Sequence, residues 1–252
     1  RAVETEVERL RALPDVAAED VRVRDALAGT GPLQAANSYL ETVAVHAQAG
    51  DLFLINAQGE TIASSNWNRP GSFVGQNYAF RPYFQDAMAD GQGQFYAIGV
   101  TTGVPGYFLS TRIDAGGTRG VLVVKLDLRP LEDIWRAADA DVAVVDANGV
   151  VILSARQDWQ YRALTRLSDA RLDQITATRA FEGVNLAASP PLVDTMPDAG
   201  NLAGDGWIAR LAAIPSTGWQ VVAVRSTAGM QMLLFGAAVL AALATLAIAA
   251  AI

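Results

Sequence analysis

The run Leu52–Ser65, LFLINAQGETIASS, and the run Val142–Ala155, VAVVDANGVVILSA, decide the fold. They align at a constant shift of about 90 residues, a self-similarity that marks a duplicated structural unit. Each is a β-rich segment, a turn centred on Gly59 or Gly149, and a second β-rich segment. Ala-Gln-Gly and Ala-Asn-Gly suit a tight hairpin in which glycine supplies a positive φ. Both copies then enter a tryptophan-bearing loop, at Trp67 and Trp159. Both resume as paired strands: Gly106–Ile113 with Gly120–Leu126, and Gly206–Ile214 with Trp219–Arg225. The order of hairpin, loop with short helix, and strand meander, twice over, predicts an α+β chain of two antiparallel sheet modules joined by a helix over Pro130–Ala138.

Outward from the repeat, residues 1–13 read as an amphipathic helix with Val3, Val7 and Leu10 on one face, ended or kinked at Pro14. A second helical stretch follows Gly31-Pro32, carries Leu33, Leu40, Val43 and Ala44 on its apolar side, and stops at Gly50. Together they suggest a long N-terminal helical stalk with packing helices. At the other end, Met230–Ile252 carries no charge over a length that spans ~30 Å of hydrocarbon and reads as a transmembrane helix. The expected organisation is therefore 1–50 stalk and packing helices, 51–130 membrane-distal module, 131–227 membrane-proximal module and 228–252 membrane span. The chain begins at Arg1 rather than Met and reads as a piece of a longer protein.

Composition narrows the function. Hydrophobic residues make up 51% of the 252, enough for full cores. A net charge of -7 argues against nucleic acid as a partner and requires any bound anion to be held by local cations. Without cysteine there is no thiolate metal site or cysteine nucleophile. The single histidine, His46, cannot build a metal cluster or a catalytic triad alone. Asp51, Asp127 and Asp146 fall at strand edges and turns, and no glycine-rich phosphate loop is present. No catalytic residue and no metal ligand is therefore assigned.

The binding residues concentrate in the first copy. Arg81 stands among Tyr78, Phe80, Tyr83 and Phe84; a guanidinium offers a bidentate fork to a carboxylate while phenols add hydrogen bonds and rings exclude water. Lys125 interrupts the apolar strand from Gly120, where an ammonium needs a partner unless the register turns it to solvent. Thr101 and Thr102, between Gly99 and Gly103, place hydroxyls and backbone N–H groups in a turn suited to an anion. The second copy offers Trp159-Gln160-Tyr161-Arg162 and an apolar final strand, and reads as the structural transmitter.

The runs Ser65-Asn66-Trp67, Asn77–Phe84, Gly99–Gly103, Pro105-Gly106-Tyr107 and Val124–Asp127 resemble the periplasmic sensor region of C4-dicarboxylate-sensing histidine kinases of the DctB type, with tandem PAS-like (double Cache) modules. The resemblance covers nearly the whole chain. It implies that Tyr78 and Arg81 hold one carboxylate with Tyr83 as a wall, that Thr101 and Thr102 support binding, and that Lys125 holds the second carboxylate. In amino-acid-binding members an aspartate on that strand holds the ligand amine; Lys125 in its place reverses the preference towards a second carboxylate. Also implied are a C4-dicarboxylate ligand (succinate, fumarate or malate), a homodimer in the bacterial inner membrane with 1–227 in the periplasm, and a response regulator reached through an absent kinase portion. ATP and magnesium would belong to that portion, leaving no cofactor here. Alternatives are the same sensor on a chemotaxis receptor or a cyclic-dinucleotide enzyme, or a membrane-tethered interaction module without a small ligand, which would leave Arg81 and Lys125 exposed and apart.

Overall fold

Gly59 and Gly149 each adopt φ +83, and around each the chain closes a hairpin. The computed structural model describes residues 1–138, 141–193, 201–204 and 207–226. The expected span over 228–252 lies outside the described residues, and no helix among those described is long and apolar enough to cross a membrane. The described chain forms two compact units: residues 1–132 with 168–185, and residues 133–167 with the remainder from 186 onward.

The first unit opens with four helices where one long helix and one packing helix were expected. These are α1 (Ala2–Leu10), α2 (Leu13–Ala18), α3 (Val21–Ala28) and α4 (Leu33–Ala47). Val3, Val7 and Leu10 are buried as their spacing requires. Pro14 does not kink α1; it sits in the first turn of α2, where its missing N–H costs no hydrogen bond. Helix α3 went unread because it is only eight residues long and Arg22, Arg24 and Asp25 interrupt its apolar residues. Asp20 caps its start by accepting from the Arg22 N–H (2.9 Å), and Gly29 ends it at φ +72.

The first sheet contains β1 (Asp51–Asn56), β2 (Thr61–Ser64), β3 (Gln92–Ile98), β4 (Pro105–Ala115) and β5 (Thr118–Leu126), antiparallel in the order β2-β1-β5-β4-β3. One face, carrying Leu52, Leu54, Leu122 and Val124, is buried, and α2, α3 and α4 pack on the sheet. At Gly120 a Cβ would lie 2.6 Å from both the Ile55 carbonyl oxygen and Leu27 of α3, so glycine lets the helix and the neighbouring strand approach together. The other face, carrying Phe53, Ile55, Phe108, Val121 and Val123, packs on Tyr83, Phe84 and Ala87 of α5 (Pro82–Asp90). With both faces covered, the strands are apolar in near-continuous runs. Helix α7 (Asp169–Thr178) belongs to this unit although it follows the second hairpin in sequence. Helix α6 (Arg129–Ala137) contains the end of the first unit's main run, Glu132.

The second sheet repeats the first: β6 (Val142–Val145), β7 (Val151–Ser154), β8 (Asn201–Gly204), β9 (Trp207–Ile214) and β10 (Trp219–Ser226), in the order β7-β6-β10-β9-β8. Both hairpins carry the same register irregularity, at Leu54/Ile55 and at Val144/Val145. Its core contains Val145, Val151, Trp159, Leu164 and Val222.

Candidate functional site

Arg81 is placed by the proline after it. Pro82 disfavours the helical region for its predecessor, so Arg81 is extended (ψ 133) at the start of α5, with Pro82 in the first turn. Three residues earlier, the Tyr78 N–H donates to the Gly59 carbonyl (2.7 Å). A Cβ on Gly59 would lie 2.5 Å from the Ala79 Cβ, so the hairpin glycine also lets this segment lie against the turn. Lys125 follows Val121 and Val123 on the inner face of β5, directly opposite Asp51 of β1 and Phe108 of β4. Gly106 and Gly99 make room for it: a Cβ at Gly106 would sit 2.5 Å from the lysine Cε, and one at Gly99 would sit 3.4 Å from Nζ.

These side chains line one cavity of about 10 Å³, walled by Phe53, Phe73, Tyr78, Arg81, Tyr83, Phe108 and Lys125 and closed by Gly99–Thr101. That volume holds roughly one water. The Tyr83 ring stacks on Phe108 (4.8 Å between centroids, 18°). Tyr78 shares a hydrogen bond with Thr101 (Oη to Oγ1, 2.7 Å). Of the six residues expected at the site, Tyr78, Arg81, Tyr83, Thr101 and Lys125 line the cavity. Thr102 stands behind, with Oγ1 at 3.5 Å from Lys125 Nζ and accepting from the Val104 N–H.

Both cations are buried, Arg81 1% exposed and Lys125 4%. Neither forms an ion pair with a carboxylate among the described residues; their hydrogen bonds go to neutral acceptors. Arg81 donates through Nη1 to the Thr178 and Arg179 carbonyls (3.1 and 3.0 Å) and through Nη2 to the Ile98 carbonyl (2.9 Å). Lys125 Nζ donates to the Val104 carbonyl (2.9 Å). Asp51, across from Lys125, directs its carboxylate to Arg69 (3.0 Å) and Ser65 (3.2 Å). Desolvation lowers the Lys125 ammonium to about 8, against the pull of Asp51 and Asp127, and lowers the Arg81 guanidinium as well. Burial raises the Tyr78 phenol, opposed by its bond to Thr101. The arrangement is a small aromatic-walled chamber lined by two buried cations that pair with no carboxylate at contact distance among the described residues.

Sequence reasoning missed the Val104, Thr178 and Arg179 carbonyls, because backbone acceptors carry no residue signature. It also missed the walls Phe53 and Phe73, which read as ordinary core. A larger, open cavity of about 370 Å³ lies elsewhere in this unit, lined by Arg11, Asp15, Asp86 and Asp90. Burial and the Asp90 charge raise the Asp86 carboxyl, and such walls repel a dianion. Among the described residues no group of three or more His, Cys, Asp or Glu could hold a metal. His46 is exposed, its Nδ1 2.8 Å from the Thr42 carbonyl.

Each unit carries a five-stranded antiparallel sheet of the same strand order, and the first adds N-terminal helices and a chamber beside α5. The chain belongs to the Cache domain family (dCache_1), which matches residues 3–231. It is 35% identical over 227 residues to the C4-dicarboxylate transport sensor protein DctB of Rhizobium meliloti, covering 85% of this chain and 37% of that protein. It is 34% identical over 217 residues to the protein of the same name from Pseudomonas aeruginosa, covering 84% and 34%. The chain thus spans about a third of the length of these relatives. Among solved structures, the DctB sensor domain of the V. cholerae histidine kinase matches with a TM-score of 0.78 and 28% identity, covering 89% of this chain and 91% of that one. The ligand-binding domain of Mlp24 with asparagine shares the fold, with a TM-score of 0.58 and 16% identity.

Proposed function

We propose that this chain is the extracytoplasmic sensor region of a membrane-bound histidine kinase and that its ligand is a C4-dicarboxylate such as succinate, fumarate or malate. One observation carries the reading: two buried cations, Arg81 and Lys125, line a single cavity and neither has a carboxylate partner among the described residues. A buried unpaired charge costs several kcal/mol, and a dianion spanning the chamber would neutralise both. An interaction module without a small ligand would have no use for cations placed in this way. The names of the Rhizobium and Pseudomonas relatives, and the lysine where amino-acid sensors of this family carry an aspartate, point the same way.

Arg81 and Tyr78 would hold one carboxylate, Lys125 and Thr101 the other, with Thr102 setting the turn and Tyr83 forming a wall. A cavity with room for one water must open to admit a four-carbon diacid. The loop 99–104, bracketed by Gly99 and by Gly103 at φ +68, would be the segment that opens. Its closing contacts, Tyr78 to Thr101 and Lys125 to Val104, involve the groups the ligand would engage. In the whole protein, residues 1–227 would lie in the periplasm, 228–252 in the inner membrane, and a homodimer would signal through a kinase portion to a response regulator.

Calorimetric titration of the chain with succinate, fumarate, malate and malonate tests the reading, repeated with Arg81→Ala and Lys125→Ala. Dicarboxylates are expected to bind, monocarboxylates and amino acids not to, and each substitution to cost about 2–5 kcal/mol of affinity. Unchanged binding in Lys125→Ala would move the second carboxylate elsewhere. No heat with any diacid would end the dicarboxylate reading.

A further inference from the structure

Arg81 has a second occupation that ligand binding alone does not explain. A guanidinium carries five N–H donors, and among the described residues three of those of Arg81 are engaged with carbonyls. Two of the acceptors, Thr178 and Arg179, are the last residue of α7 and the residue that caps it. A helix C-terminus is its negative pole, where unsatisfied carbonyls favour a cation. Arg179 itself takes the left-handed conformation (φ 52), which ends the helix there. Its guanidinium lies over the Phe80 ring (5.0 Å to the centroid), as that of Arg81 does (5.1 Å).

The third acceptor is Ile98, whose N–H in turn donates to the Ala180 carbonyl (2.8 Å). Ile98 immediately precedes Gly99, where the loop over the cavity begins. Ala180 and Phe181 are buried, and the Phe181 ring lies beside Tyr96 of β3 (6.3 Å). The cavity loop and the end of α7 are therefore tied to the same residue and to the same guanidinium. Segment 168–185 belongs to the sensor unit, yet at both ends the chain continues into the other unit, towards β7 on one side and β8 on the other.

We propose that Arg81 couples occupancy of the cavity to the docking of segment 168–185, which makes this segment the covalent route by which the second unit receives the signal. The proposal rests on the dicarboxylate reading. With the segment docked, Arg81 is a buried cation whose hydrogen bonds among the described residues all go to neutral carbonyls, with Glu182 attracting it only from beyond contact, and undocking lets water reach it. An anion held by its two remaining N–H groups supplies the missing counter-charge only when the guanidinium is in its docked position. The anion thus binds the docked state more tightly and shifts the population towards it. By reciprocity, weakening the segment's other anchors must weaken the ligand, although those anchors do not line the cavity.

Hydrogen exchange of the 252-residue chain with and without saturating succinate, alongside calorimetry, tests this. Succinate is expected to slow exchange across 178–183 and at Ile98 by about fivefold or more, and Phe181→Ala to weaken succinate by a similar factor. Phe181→Leu serves the same purpose if the alanine variant does not fold. Heat of binding with unchanged exchange in 168–185, or a folded Phe181 variant that binds as tightly as the parent, would overturn the coupling and leave the dicarboxylate reading standing. No heat and no change in exchange would remove both.

Discussion

The two sheets are the same object built for different ends. Their strand orders, hairpin irregularities and turn glycines correspond, and even the bridge after each hairpin recurs, Glu60 with Asn77 and Val150 with Ala163. The first sheet keeps the helix of its insertion, α5, over its inner face, and a chamber remains between them. The second sheet does not keep α7, which belongs to the first unit; Trp159, Leu164 and Val193 fill its core instead. The register makes the contrast specific. Lys125 lies one residue beyond the pair Val124–Leu52, and the corresponding residue beyond Ala223–Val142 is Val224. In the proposed reading, a duplicated scaffold acquires a binding site by placing a charge where its twin has an apolar residue and by keeping a helix to roof it.

The largest test gives the second core a charge. Val222→Lys would place an ammonium in the core that holds Val145, Trp159 and Leu164, at a cost of about 3–5 kcal/mol. Loss of exchange protection across β6 and β10 would show it. The converse change, Lys125→Met, should abolish dicarboxylate binding while raising the melting temperature of the ligand-free chain, since an uncompensated buried charge is removed. A fall in melting temperature would mean that Lys125 is already neutralised within the protein.

The glycines give a finer pair. Gly59→Ala and Gly149→Ala both force a Cβ into φ +83, costing about 1–2 kcal/mol each. Only Gly59→Ala also collides with Ala79, so it should be the more destabilising and should reduce ligand affinity by displacing Tyr78, whereas at Gly149 a Cβ meets nothing within 4 Å. Equal melting shifts and equal affinities would show that the close approach at Gly59 does not position the site.

Smaller effects follow from titration. Lys125 is lowered from its ordinary 10.5 to about 8, so between these values the unfolded chain binds the extra proton. Ligand-free stability should therefore rise with pH across that window, the burial penalty being fully present below about 8. Ligand affinity should run the opposite way, falling above about pH 8, with proton uptake on binding visible as a dependence of the calorimetric heat on buffer ionisation enthalpy. Affinity that is flat from pH 7 to 10 would exclude Lys125 as a ligand contact. The smallest change, Tyr78→Phe, removes the bond to Thr101 and should cost about 0.5–1.5 kcal/mol, seen as faster exchange at the Gly99 and Gly103 amides of the loop.

Much of the architecture was legible because it is written in local chemistry. The Gly59 and Gly149 turns announced the duplication, the 1–10 periodicity announced α1, and an arginine among aromatics and a lysine in an apolar strand stood out as costly residues. Local rules misjudged the N-terminus, where Pro14 was a plausible end for one helix but serves equally well as the start of another, and where α3 is too short for its periodicity to stand out.

What the sequence by itself determined was the pair of sheets, their antiparallel pattern and the residue types able to hold an anion, because hairpin glycines, apolar strand runs and side-chain charge act over a few residues. Only the tertiary structure decided that Arg81 and Lys125 share one cavity and that neither pairs with a carboxylate among the described residues. It alone decided that α7, distant in sequence, offers its carbonyls to Arg81. Those facts depend on strand register, on glycines that admit close contact and on backbone acceptors identical at every residue, none of which a linear pattern records.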